Sequence, residues 1–553
     1  MTPQIISAPP ATKRPSALTF GGLLRANAAR VGDRPAIVFE GATQSWNEFD
    51  AAVDRYARAL LASGARRGSM IAVHSANRPE WLFLAMGCAR IGATLAPLNT
   101  FHRDAEIGQQ MAHSEPELLF VVDSVRRNEY TSMWLRLLPE LAGGATERFA
   151  RFPSLRGVIQ LRGEALAGVP TLDAWLQRGE SVTAADFAAT QAAVQPTDDL
   201  YILYTSGSTG LPKGVRMAQG DCIANDFNLG ERQGLTEFDS TWIATPMFYG
   251  LATINAIPAI WSHGGGIVLE EIFEAGESLK TIERDRPTTY VSLANMTRAL
   301  YPHPDRPRRD ISSLKKGIAG FSTDDLKMAI EGLGITHCCA MYGLTETYGN
   351  CFITDWRDSL EVRTTTQGKL LEDWSYRIVD DEGRPTAAGE LGLLEVKGHV
   401  TPGYLRNEEA SAQAFTADGF FSTGDLVRVD EAGRLRFHSR KKEILKVGGV
   451  NVSPAEVEYV IDMHPDVVEC HVVGLPDATM GEVIAAFVDP GGSALTEEAV
   501  KAFVLANAAR FKVPYHVFLR RSDELPRVAS GKVPKYQLRE YALKILAEQG
   551  VQR

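Results

Sequence analysis

The sequence predicts an α/β protein. A large N-terminal domain of mixed, mostly parallel sheets with helices carries a small β-rich section, and a small α+β C-terminal domain follows. Three observations predict this. Helix and strand signals alternate from about residue 45 to about residue 340, the pattern of parallel strands joined by crossover helices. From about residue 370, short strand-like runs are separated by Gly, Asp and Pro turns. After Lys442 the pattern is that of a compact unit: helix, two strands, helix, strand.

The elements follow in order. Residues 1–16 are rich in Pro, Ser and Thr and are expected to form a disordered tail. Ser45 and Glu48 form a capping box ahead of the helical stripe Phe49, Val53, Tyr56 and Leu60, with Gly64 as the stop. Met70-Ile71-Ala72-Val73 is a buried strand, and Asp199 to Tyr204 is another. Tyr376–Val379, Leu391–Val396 and Arg434–His438 supply the β-rich section. Ser453-Pro454-Ala455-Glu456 starts a helix with a cap, a proline and an early glutamate. Strands at Glu469–Val473 and Val483–Val488 follow, then a helix from Thr496 and a strand at Val517–Leu519. The expected organisation is therefore 17–439, a link at 440–442, and 443–553.

Composition narrows the function classes. With 58 basic and 68 acidic residues the net charge is −10, so nothing in the balance calls for nucleic acid or an anionic membrane. The six cysteines are sparse, and Cys338-Cys339 is not a zinc spacing. Residues 1–17 lack the apolar core of a signal peptide. The apolar stretch from Trp81 to Leu98 is broken by Arg90, Gly92 and Pro97. The expectation is a cytoplasmic protein with no membrane span. A homo-oligomer is compatible with the sequence.

The chemistry starts at 204–215, YTSGSTGLPKGV. Gly207, Gly210 and Gly214 let a backbone approach a ligand closely, and successive N–H groups in such a turn form an anion-binding concavity. Thr205, Ser206, Ser208 and Thr209 add hydroxyl donors, and Lys213 adds a positive charge. A Walker P-loop does not fit. Pro212 lacks an N–H, and Gly214 stands where the metal-binding hydroxyl would be. A plain Gly/Ser linker fits poorly after a buried strand.

TSGSTGLPKG resembles the phosphate loop of the adenylate-forming superfamily, which includes acyl-CoA synthetases, peptide-synthetase adenylation domains and firefly-type luciferases. Four further stretches share the resemblance in the family's order: Tyr342-Gly343-Leu344-Thr345-Glu346, Ser422-Thr423-Gly424-Asp425, the run from Ser439 to Gly449, and Leu525 to Val533. Taken alone each has an ordinary structural explanation: a capped strand end, a turn, a solvated basic run, an exposed lysine. Shorter matches at Gly92–Asn99 and Gly389–Tyr404 extend the likeness to all but about the first 20 residues.

The resemblance implies a two-step reaction. A carboxylate attacks the α-phosphorus of ATP to give acyl-AMP and pyrophosphate, and a thiol then displaces AMP. Thr205 to Gly210 and Lys213 would hold the phosphates. Gly320, Phe321, Ser322, Tyr342, Gly343 and Thr345 would surround the nucleotide. Glu346, with Thr205, would serve Mg²⁺. Asp425 would take the ribose hydroxyls, and Arg440 the ribose or phosphate. Lys532 would bridge the substrate carboxylate and the α-phosphate. Lys442 falls on the family's hinge, about which the small domain moves between steps. Lys446, Gly448 and Gly449 belong to the loop of the thioester step.

Two departures bear on the substrate. Pro246-Met247-Phe248-Tyr249-Gly250 carries Tyr249 where the family often has histidine, and Ala319-Gly320-Phe321-Ser322 replaces a G-G-A-P stretch. Tyr249 cannot pair with an α-ammonium group, which points away from amino acids. Pocket candidates are Tyr249, Gly250, Phe321, Met341 and Tyr348, mostly apolar or aromatic. They suit a hydrophobic acid: fatty, aryl, or alicyclic/terpenoid. The expected acceptor is coenzyme A. The alternatives are a separate carrier protein, luciferase-type oxidation of the adenylate, and a non-catalytic nucleotide-binding protein.

Overall fold

A computed structural model of the chain describes residues 5–144, 147–164, 166–205, 213–319, 323–380, 382–387, 389–440, 445–526, 533 and 535–548. By packing, the chain divides into two compact units. One comprises residues 1–100, 111–203 and 214–441; the other is built on 442–553 with 101–110 and 204–213.

The first unit contains two largely parallel sheets. One has six strands, in the order Lys213–Ala218, Asp199–Thr205, Thr94–Pro97, Met70–His74, Leu118–Val122 and Val158–Arg162. Thr94–Pro97 and Leu118–Val122 are buried along their whole length, as strands covered on both faces must be. The other has seven: His337–Cys339, Lys316–Ala319, Thr289–Ser292, Ser240–Ile243, Gly266–Leu269, Pro35–Phe39 and Ala42–Ser45. Only the last pair is antiparallel. Trp242, Tyr290, Leu279, Ile282 and Ile335 anchor the core on this sheet.

Helices form where the chain supplies their signals. Ser45 and Glu48 make the capping box of Trp46–Ala62, each satisfying the other's backbone N–H. Pro79 opens Pro79–Ile91 and Gly92 ends it in the left-handed region, at φ +72°. Every residue from Trp81 to Ile91 is buried, so that apolar stretch is an interior helix. No helix among the described residues is long and apolar enough to cross a membrane.

The β-rich section is an antiparallel sheet of Ile6–Ser7, Ser375–Val379, Gly392–Lys397, Phe421–Val429 and Leu435–Arg440. Its first strand corrects an expectation. Within the tail expected to be disordered, Ile6 and Ser7 pair with Tyr376 and Ser375. Ala8 and Asp373 add backbone bonds to Trp374 and Pro9, and Arg14 pairs with Asp373. The composition of residues 1–16 hid this because strand addition uses the backbone, which every residue has.

The second unit is a five-stranded sheet with helices Pro454–Asp462, Glu497–Asn507 and Lys535–Glu548. Val472, Ile484 and Val504 pack on one side, and Phe487, Phe518 and Leu538 on the other. Thr496 caps its helix through its side chain, but Ser453 makes no side-chain cap.

Candidate active site

The carboxyl ends of parallel strands are where an α/β sheet accepts ligands, because connecting loops and helix starts gather there. Four such ends carry the residues of interest. Asp199–Thr205 runs into the phosphate loop, Met70–His74 leads to Asn77, and Ser240–Ile243 leads to 245–250. Lys316–Ala319 leads to the Gly320–Ser322 stretch.

The segment 341–350 is held tightly. Met341–Tyr342 is a short strand paired with Phe352–Ile353. Gly343 follows because a Cβ there would lie 2.3 Å from the Asn350 Cα. Thr345–Thr347 forms one 3₁₀ turn, closed by the Thr347 and Gly349 N–H groups donating to the Leu344 carbonyl at 3.0 and 2.7 Å. Tyr348 then adopts a left-handed conformation, φ +52°, which is rare for a large side chain. A buried polar cluster supports it. Asn255 Nδ2 donates to the Tyr348 carbonyl at 2.8 Å and to Asp226 Oδ1 at 3.2 Å, where Asn350 Nδ2 also donates. Burial pushes the Asp226 carboxyl well above the usual carboxylate range. Asn255 itself sits in a π-helical turn, Leu251–Ala256, a local departure often found at functional sites.

Two carboxylates face tyrosines here. Tyr342 Oη donates to Asp425 Oδ2 at 2.7 Å, and the Tyr342 ring stacks on Phe437 with centroids 6.1 Å apart. Tyr404 Oη donates to Glu346 Oε1 at 2.9 Å. Burial, reinforced by the adjacent carboxylate, pushes both tyrosine hydroxyls up, so both remain donors. Asp425 was expected at a tight turn. It lies instead inside the strand Phe421–Val429, opposite Arg440, one residue after Gly424 at φ +73°. The S-T-G-D string read as a turn because a glycine at positive φ serves a strand irregularity as well as a turn.

The acid-side stretch is built differently. Asn77 Nδ2 donates to the Thr245 carbonyl at 2.9 Å, and Asn77 Oδ1 accepts the Met247 N–H at 2.8 Å. Tyr249 is half-buried, with Asn99 Nδ2 at 3.5 Å from its hydroxyl, and Gly250 precedes the π turn. Met341 is buried at 7% exposure. Tyr348 was taken as a pocket candidate, yet it has no exposed surface and its hydroxyl accepts the Ala218 N–H at 2.8 Å. In this structure it belongs to the framework, because its neighbour Gly349 is pressed against Asn255.

The remaining candidates divide between described and undescribed residues. Thr205 and Lys213 are half-buried at the strand ends that bracket the phosphate loop. Ser206, Gly207, Ser208, Thr209, Gly210, Gly320, Phe321, Ser322, Lys442 and Lys532 lie outside the described residues, as does the side chain of Arg440. In the second unit, Gly448 and Gly449 have φ of +57° and +83°. They form the two-residue turn between Leu445–Val447 and Val450–Val452, a hairpin that requires positive φ at both positions. Lys446 is exposed beside them, its N–H donating to Glu482 Oε2 at 2.7 Å.

Sequence reasoning assigned no role to Tyr404, Asn77 or Asn255. Tyr404 fell within a stretch counted as family-like, but nothing in the string pairs it with a carboxylate 58 residues away.

Comparison with known proteins completes the picture. Residues 24–405 match the family model described as AMP-binding enzyme, and residues 456–532 match that of the AMP-binding enzyme C-terminal domain. The chain belongs to the AMP-binding enzyme family. Within this adenylate-forming superfamily it falls in the acyl-CoA ligase branch, as an AMP-forming ligase. It is 30% identical to the acyl-CoA ligase sidI of Aspergillus fumigatus over 547 residues, 96% of this chain and 92% of that one. It is 33% identical to an octahydro-indenyl propanoyl:CoA ligase of Mycobacterium tuberculosis over 514 residues, 92% and 96% of the two chains. Among solved structures, the amide bond synthetase McbA from Marinactinospora thermotolerans superposes with a TM-score of 0.79 at 25% identity, covering 94% of this chain and 99% of that one.

Proposed function

We propose that this AMP-binding enzyme converts a hydrophobic carboxylic acid to its acyl-CoA through an acyl-adenylate. The observation that carries the reading is the two tyrosine–carboxylate pairs, Tyr342–Asp425 and Tyr404–Glu346, both on the segment 342–346, which residues 401–404 tie to Val215 and Arg216 of the strand that follows the phosphate loop in sequence. It supports one site for a ribose, a polyphosphate and its counter-ion.

In the first step the carboxylate oxygen of the acid forms a bond to the α-phosphorus, and the bond from that phosphorus to the bridging oxygen breaks, releasing pyrophosphate. A carboxylate is a weak nucleophile, so the enzyme contributes position and charge neutralisation. Asp425 accepts the ribose hydroxyls while Tyr342 fixes its second oxygen. The 205–213 loop and Lys213 bind the phosphates. Lys532 neutralises charge at the carboxylate and α-phosphate. In the second step, with the small domain turned about Lys442 so that the Gly448–Gly449 face serves the site, the CoA thiol attacks the acyl carbonyl and AMP leaves.

Magnesium fits the donors present. Among the described residues no cluster of three or more His, Cys, Asp or Glu could hold an ion. One hard carboxylate, Glu346, is half-exposed, and its segment is tied through Thr401 to Arg216. Mg²⁺ suits such a site, since it takes one or two carboxylates plus phosphate oxygens and water. It would there supply charge stabilisation at the phosphates.

A hydrophobic acid is favoured by Tyr249, which offers no carboxylate to an ammonium group, and by a bicyclic propanoyl substrate named for one relative. The six cysteines, free and buried, suit a reducing cytoplasm. The test is a product assay by mass spectrometry with ATP, Mg²⁺, CoA and a pool of aliphatic, aromatic and polycyclic acids. Acyl-CoA with AMP is the expected result. Acyl-AMP that accumulates beside CoA would move the acceptor to a carrier protein or an amine. Absence of pyrophosphate release with every acid would overturn the reading.

A further inference from the structure

We propose that Tyr404 is a positioning residue for the reaction: it fixes one oxygen of Glu346 so that the other is presented to the metal–phosphate group. The proposal rests on Glu346 serving the metal, as read above.

The geometry comes from the segment 399–405, which splints Glu346 to the strand that leaves the phosphate loop. On one side, Val215 and Tyr404 form an antiparallel bridge. Arg216 N donates to Gly403 O at 3.1 Å, and Leu405 N donates to Gly214 O at 2.7 Å. On the other side, Thr401 N donates to the Glu346 carbonyl at 2.7 Å, while Thr401 Oγ1 donates to the Arg216 carbonyl at 2.7 Å. His399 anchors the start of the segment against Asp221 at 2.8 Å. Ser411 Oγ accepts the Tyr404 N–H at 2.9 Å, fixing its end.

Glu346 is thus held twice, by its backbone at Thr401 and by its carboxylate at Tyr404. Tyr404 is 9% exposed, so its ring has little freedom and its hydroxyl is aimed at Oε1. No hydrogen bond to Oε2 is present among the described residues. A carboxylate with one oxygen satisfied by a fixed donor has a single orientation for the other. Outer partners of metal-ligating carboxylates act in this way, and losing one typically weakens metal binding about 10-fold or more.

The test uses the full chain and Mn²⁺ as the probe, with free Mn²⁺ followed by electron paramagnetic resonance in the presence of ATP and no acid. Tyr404→Phe removes one oxygen and keeps the ring. It is expected to raise the apparent Mn²⁺ dissociation constant about 3–10-fold, and to leave the melting temperature within a few degrees. Glu346→Gln is expected to weaken Mn²⁺ at least as much, and Tyr404→Phe added to Glu346→Gln should have no further effect. Such non-additivity is what action through Glu346 requires. Equal effects of Tyr404→Phe in both backgrounds would overturn the proposal, as would a Mn²⁺ affinity unmoved by Tyr404→Phe while Glu346→Gln lowers it. If Glu346→Gln leaves Mn²⁺ affinity unchanged, the metal assignment itself falls and the proposal with it. A Tyr404→Leu variant that lowers only the melting temperature would reduce the tyrosine to a packing role.

Discussion

The stretches 342–347 and 245–250 both border the candidate site, yet they are held by different means. Around 342–347, side chain meets side chain: Tyr342 on Asp425, Tyr404 on Glu346. Around 245–250, Asn77 grips the backbone, donating to the Thr245 carbonyl and accepting the Met247 N–H. The difference matches the two tasks proposed for them. The nucleotide is constant, so its polar contacts can be locked by specific partners. The acid varies across the branch, and a loop held by its backbone can change side chains without losing its place.

This contrast predicts the largest effect at Asp425. Asp425→Asn keeps an acceptor for Tyr342 and removes the charge offered to the ribose. Hydrogen bonds to charged groups contribute about 1.5–3 kcal/mol, so the KM for ATP should rise about 10–100-fold in steady-state kinetics. The KM for the acid should change far less. Asp425→Ala should add a loss of stability, since it strands the buried Tyr342 hydroxyl. An unchanged ATP KM in the asparagine variant would erase the distinction between the two stretches.

Asn77→Ala comes next and probes the other side. It leaves the Thr245 carbonyl and the Met247 N–H without their partner, in residues that are each 1% exposed. A stability loss of about 1–3 kcal/mol should appear in urea unfolding. The KM for the acid should rise several-fold while that for ATP holds. Equal increases in both constants would mean that Asn77 supports the fold as a whole and not the acid side.

How much of this was legible beforehand follows from the same contrast. Local signals were readable: the Ser45–Glu48 box, the alternation of strands and helices, the Gly448–Gly449 pair. Motifs named the candidate residues because the family spaces them in a recognisable order. The partners of those residues were not legible. Tyr404 reaches Glu346 across 58 positions, and Asn77 reaches Met247 across 170. Such pairings are made by sheet topology, which a single string does not state. Gly424 misled because positive φ serves both a turn and an irregular strand, and Tyr348 misled because its position beside Glu346 says nothing of which way its ring points.

The smallest predicted effect lies at Glu270, the residue after Gly266–Leu269. It is buried at 8% exposure, and accepts from Trp242 Nε1 at 2.7 Å and Ser278 Oγ at 2.6 Å. Burial pushes its carboxyl from 4.5 up to about 7, against the opposing pull of those hydrogen bonds. The folded protein therefore holds a proton that the unfolded chain releases near pH 4.5. Stability from this group is complete below that pH and is lost as pH rises through about 7. Glu270→Gln keeps an acceptor for Trp242 and cannot ionise, so its melting temperature relative to the parent should improve between pH 5 and pH 8. At pH 5 the two proteins should differ little. Since no hydrogen bond among the described residues joins Glu270 to 342–347 or 245–250, ATP and acid KM values should both stay within about twofold. A variant whose melting curve tracks the parent at every pH would place the ionisation elsewhere.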